Sequence, residues 1–73
     1  MLLSDVKLSE KVRLLSFKDK GLSKRLLEMG CLPGEIIAIS KKAPLGDPIA
    51  IDVSGYQLCL RKDDARNIEV ELV

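Results

Sequence analysis

The stretch from Lys24 to Gly34 (Lys-Arg-Leu-Leu-Glu-Met-Gly-Cys-Leu-Pro-Gly) constrains the fold more than any other. It packs a helix, its stop, a turn and the entry to a strand into about a dozen residues. Leu22, Leu26 and Met29 recur at i, i+4 and i+7, an apolar stripe that predicts a helix from about Lys20 to Met29 with all three in the core. Ser23, Lys24 and Glu28 lie off that stripe, and Arg25 is placed to anchor the helix. Gly30 suits the left-handed position just past a helix end, where a Cβ is penalised. Pro33-Gly34 fits the two central positions of a type II turn. The helix is therefore held at a fixed angle to whatever strand follows.

The flanking segments read as short strands. Lys11 to Phe17 has Val12 and Leu14 on one face and Arg13, Leu15 and Phe17 on the other, which predicts a strand at least partly covered on both sides. Asp19 is placed to cap the helix. Glu35 to Lys42 carries a nearly continuous apolar run, Ile36 to Ile39, as a buried strand would. Ile49, Ile51 and Val53 alternate strictly with Ala50, Asp52 and Ser54, the clearest strand in the chain. Ser54-Gly55 is a turn signal, and Gln57 to Arg61 returns with Leu58 and Leu60 inward. Lys62 to Asn67 fits one helical or 3₁₀ turn with Asp63-Asp64 at its start, and Ile68, Val70 and Leu72 alternate in a last strand. Leu3, Val6 and Leu8 form an apolar lead-in. The expectation is an all-β fold with one short helix inserted after the first strand. Five strands this short bury enough surface by curling into a small SH3-like barrel, one domain over residues 1–73.

Composition narrows what such a barrel can do. Net charge is +1, with 32% charged residues, and only Phe17 and Tyr56 are aromatic. Residues 1–42 carry 9 Lys/Arg against 5 Asp/Glu (+4), and residues 43–73 carry 3 against 6 (−3). A proline-rich-peptide groove needs more rings than two, and a single-strand nucleic-acid platform needs rings and a basic groove. There is no histidine, no Walker or dinucleotide-binding loop, and no serine with a base partner nearby in sequence, so catalysis and a bound cofactor are not expected. Cys31 and Cys59 cannot make a zinc site alone and read as buried small hydrophobes of a reducing compartment. No segment resembles a signal peptide or a transmembrane span, so a cytoplasmic location is expected.

What remains is docking on another protein by shape and aliphatic contacts. The candidate surface is the loop Pro44-Leu45-Gly46-Asp47-Pro48, where two prolines restrict the backbone and Leu45 sits at the tip. The same prolines could instead simply close a hairpin and block edge pairing. Leu32 either joins this patch or enters the core.

Taken together, Arg25-Leu26-Leu27-Glu28-Met29-Gly30, Leu32-Pro33-Gly34, Ala43-Pro44-Leu45-Gly46-Asp47-Pro48 and Leu60-Arg61-Lys62 resemble the ferrous iron transport protein A (FeoA) family in order and spacing, over roughly Leu3 to Val70. The resemblance implies an SH3-like barrel and an accessory protein of bacterial ferrous iron uptake. It also implies a partner, the cytoplasmic GTP-binding region of the membrane permease FeoB, with no nucleic acid and no membrane insertion. Weak self-association and iron contact stay open. Two departures stand out: Leu8-Ser9 replaces the usual Pro-Gly of the lead-in, and Cys31 and Cys59 replace ordinary small or aliphatic residues. A related barrel ends metal-dependent repressors of the diphtheria-toxin-repressor type, so a free-standing regulator is the alternative.

Overall fold

In the computed structural model, which describes residues 1–45 and 47–73, a 3₁₀ turn at Leu3–Asp5 leads into β1 (Lys11–Phe17) and α1 (Lys20–Glu28). Then follow β2 (Ile36–Lys42), β3 (Ile49–Val53), β4 (Tyr56–Leu60), α2 (Lys62–Ala65) and β5 (Ile68–Leu72). All strand pairings are antiparallel, in the order β4-β3-β2-β1-β5, so the last strand returns past the others to lie beside the first. This is the small SH3-like architecture expected, with β4 and β5 left as separate edges rather than zipped shut.

Two bulges reset the inside–outside pattern of the sheet. The β1–β5 register slips between Leu14 and Ser16, leaving Leu15 as the extra residue. Phe17 thereby comes opposite the buried Ile68 and packs against the core, so it shares the face of Val12 and Leu14, contrary to simple alternation. Leu15 is exposed instead. A second slip falls at Ser40, between Ile39 and Lys41. There the Ser40 hydroxyl donates to the Ala50 carbonyl at 3.1 Å and accepts from the Gln57 amide at 3.2 Å. Bulges strengthen local twist, which lets short strands wrap a core.

The core is aliphatic. Leu3, Val12, Leu14, Ile37, Ile39, Ile51, Val53, Ile68 and Val70 are all buried, and α1 contributes Leu22 and Leu26. Ile36 is exposed, so β2 alternates rather than being buried throughout. Leu72 and Leu8 are also exposed.

The helix stop forms as the sequence predicts. Gly30 has φ +83°. Its N–H donates to the Leu27 carbonyl at 3.0 Å and the Cys31 N–H to the Leu26 carbonyl at 2.9 Å, the paired bonds of a Schellman motif. Cys31 is buried beside Leu26, supplying the apolar contact this motif favours. Next comes the type II turn, with Gly34 at φ +95° and the Glu35 N–H donating to the Leu32 carbonyl at 3.1 Å. One prediction for this element fails. Met29 is the C-cap, 46% exposed rather than in the core, because the helix ends at Glu28 and the chain turns away there.

Leu8-Ser9 forms a turn in the lead-in even without Pro-Gly. Ser9 takes φ +71° and its N–H donates to the Ile39 carbonyl at 2.9 Å, pinning residues 7–10 to β2. At the other hairpin Ser54 and Gly55 both have positive φ, 47° and 85°, as a two-residue type I′ turn requires.

Candidate docking groove and loop

The β3–β4 hairpin, α1 and α2 leave a groove of about 470 Å³ between them. Leu58 and Leu60 of β4 and Leu26 of α1 form its apolar wall, Met29 and Cys59 add sulfur, and Pro48 closes the loop side. Arg25, Arg61 and Asp64 stand at its polar end. The Arg25 guanidinium donates to an Asp64 carboxylate oxygen at 2.9 Å, tying α1 to α2 across the groove. Tyr56 joins the elements elsewhere, its hydroxyl donating to the Met29 carbonyl.

Sequence blocks far apart in the chain therefore converge here. Arg25, Leu26 and Met29 come from the helix block, Pro48 from the loop block, and Leu60 and Arg61 from the strand end. Arg25 does anchor the helix through Asp64, while also facing the groove. Gly30, Pro33 and Gly34 set backbone direction.

The loop residues divide by role. Leu45 is 88% exposed, the most exposed large apolar residue described, and Pro44 beside it is exposed too. Asp47 is engaged: its Oδ1 accepts from the Lys62 N–H at 3.1 Å. That bond satisfies the first N–H of α2, whose N-cap, Arg61, supplies no side-chain cap. Pro48 turns into the groove wall, preceded by a cis peptide bond. Gly46, also assigned to this surface, lies outside the described residues. Leu32 is exposed in the turn after α1 and is not taken into the core.

The two cysteines differ. Cys31 is buried, and its burial, with a smaller contribution from the Glu35 charge, pushes the thiol above its ordinary value of 9.0. Cys59 is exposed on the groove, correcting the expectation that both are buried. Strand parity carried this signal, since Cys59 falls between the inward Leu58 and Leu60. The contributions of Met29 and Asp64 carried no such signal. Met29 turns outward where the helix ends, and Asp64 is reached from Arg25 across 39 positions of chain. Among the described residues no three His, Cys, Asp or Glu side chains are grouped to hold a metal ion. No helix of the described residues is long and apolar enough to cross a membrane.

The FeoA domain profile matches residues 1–72. A Porphyromonas gingivalis protein, described as a fusion of Fe(2+) transport protein A and the Fe(2+) transporter FeoB, is 36% identical over 74 aligned positions. They span all of this chain and 9% of that protein, so the comparison concerns a small part of the relative. The solution structure of FeoA from Chlorobium tepidum superposes with a TM-score of 0.93 at 30% identity, covering all of this chain and 70% of that one. FeoA from Stenotrophomonas maltophilia, solved with zinc and described as a prokaryotic SH3 domain protein, gives 0.84 at 28% identity, over 97% of this chain and 89% of that one. A manganese-dependent transcriptional repressor contains the same fold (TM-score 0.88, covering all of this chain and 41% of that one), but at 11% identity it speaks for the fold alone. By the extent of the profile match and by its fold, the chain belongs to the FeoA family.

Proposed function

We propose that this domain serves ferrous iron transport as an accessory module, docking on the cytoplasmic region of a FeoB-type GTPase permease rather than catalysing a reaction. The observation that carries this reading is the Porphyromonas gingivalis fusion, in which an FeoA segment 36% identical to this chain shares one polypeptide with FeoB. Covalent linkage raises effective concentration to the order of millimolar, which favours parts that work in contact. The surface described supports the same reading: Leu45 is exposed on a proline-braced loop whose Pro48 lines an apolar groove.

The test is calorimetric titration of the purified domain with the permease's soluble cytoplasmic region. Saturable binding, weakened by Leu45→Ala in a variant with unchanged circular dichroism, is the expected result. A folded domain that binds nothing at 100-micromolar concentrations (on the order of 5 kcal/mol) refutes the docking reading.

A further inference from the structure

The two edges of the sheet are treated differently. Beyond β5, the leading residues cover the edge: Leu2 bridges to Glu69, and the Val70 N–H donates to the Met1 carbonyl at 2.8 Å. Beyond β4 no strand follows among the described residues. The tight Ser54-Gly55 turn makes Val53–Tyr56 a hydrogen-bonded pair, and alternation then makes Ile51–Leu58 and Ile49–Leu60 the others. The N–H and C=O groups of Gln57 and Cys59 consequently point outward, and neither meets a backbone partner outside the sheet among the described residues. Bare edges are ordinarily guarded by charge, proline or a bulge. Here the edge carries a glutamine and a cysteine, its register with β3 runs unbroken, and it opens on the groove.

We propose that β4 accepts one further strand, an extended segment of about four residues from a protein partner, laid between β4 and α1. Four outward backbone groups, on Gln57 and Cys59, supply the pairing. Alternation fixes the chemistry of the occupant. Side chains facing the accessible part of the wall, Leu58 and the exposed Met29 over the buried Leu26 and Leu60, are apolar, and an acidic side chain at the end of the segment meets Arg61. Arg25 is already paired with Asp64, whereas Arg61 has no carboxylate within salt-bridge distance among the described residues, so the groove end keeps an uncompensated positive charge. This deepens the docking reading above and rests on it, since it states how the partner is held.

The experiment titrates the permease's cytoplasmic region into the ¹⁵N-labelled domain. It follows amide exchange at Gln57 and Cys59 and repeats the titration with Cys59→Pro, which removes an outward N–H while leaving the β3 pairing intact, and with Arg61→Glu. Slowed exchange at both amides, with each variant binding about tenfold more weakly, is the expected result. Should both variants bind as the wild type does, with those amides unprotected, strand addition is wrong while the docking reading stands. An absence of binding by the wild type removes both. Protection that grows with the domain's own concentration, without the partner, assigns the edge to a second copy and overturns the proposal. If Cys59→Pro unfolds, Arg61→Glu and the amide exchange still decide the matter.

Discussion

Replacing Gly30 by alanine tests whether the helix stop is held as described. At φ +83° an L-residue loses about 1–2 kcal/mol relative to glycine, through the clash of Cβ with the following carbonyl. Alanine recovers about 0.4–1 kcal/mol by narrowing the unfolded ensemble. The added Cβ would also lie 3.4 Å from the Tyr56 hydroxyl, so that group must shift and loosen its bond to the Met29 carbonyl, worth about 0.5–1.5 kcal/mol. These ranges combine to a destabilisation of about 0.5–3 kcal/mol, and in a domain this size a melting temperature lower by roughly 2–24 °C. Two companions separate the contributions. Gly34→Ala, at φ +95° with nothing within 4 Å of the new Cβ, isolates the backbone effect. Gly21→Ala, inside α1 with Asp19 Oδ1 at 3.7 Å, removes a helical glycine and stabilises by up to about 1 kcal/mol. The assay is thermal and urea unfolding followed by circular dichroism, repeated in a Tyr56→Phe background. There Gly30→Ala should lose its contact component and match Gly34→Ala. If Gly30→Ala proves as stable as the wild type, or its cost is unchanged by Tyr56→Phe, the reasoning is wrong.

Ser9→Gly relieves a left-handed serine and should raise stability by roughly 0.5–1 kcal/mol, readable as a higher urea midpoint at constant slope. A thiol reagent should consume one equivalent rapidly, at Cys59, and the second only on unfolding, when Cys31 is released. Because burial raises the Cys31 thiol above 9.0, the folded state holds that proton more firmly than the unfolded state. This stability is whole below pH 9.0 and is lost as pH climbs past it through the folded value, a decline that Cys31→Ala should flatten despite a lower stability overall. Arg25→Ala removes a half-exposed ion pair and should change stability by less than about 1 kcal/mol, since solvent screens such pairs. Its effect should instead appear as a looser α1–α2 junction, seen as faster amide exchange at Ala65 and Arg66.

The order of elements was readable because each segment carries its own local instruction. Ile49, Ile51 and Val53 alternate, Gly30 tolerates a left-handed backbone, and Pro33-Gly34 dictates a turn; none of these needs a distant partner. Phe17 was misplaced because the Leu15 bulge is set by pairing with β5, more than 50 positions on, and adds a residue that period-2 counting cannot see. Met29 was misplaced because a three-residue apolar spacing continues past the last helical turn without showing that the chain has turned away. Among the site residues, Leu45 was legible as the exposed tip of a loop. The groove was not, because it exists between elements: Arg25 meets Asp64 across 39 positions, and Cys59 gains its position from β4 being an edge.

The bond from the Lys62 N–H to Asp47 sets the strength of any signal passing through it between loop and groove. Asp47 sits two positions from Leu45, while Lys62 opens the helical turn whose Asp64 holds Arg25. A partner that pulls the loop away must surrender this bond, and one that grips the loop as it stands keeps it. An exposed charge-assisted bond is worth about 1.5 kcal/mol, so occupancy at the tip can change affinity in the groove by about tenfold through this link and no more. Reciprocity demands the same factor in reverse. Asp47→Asn would shrink that factor and Asp47→Ala would abolish it, so that a partner docked at both places as proposed would meet the loop and the groove independently.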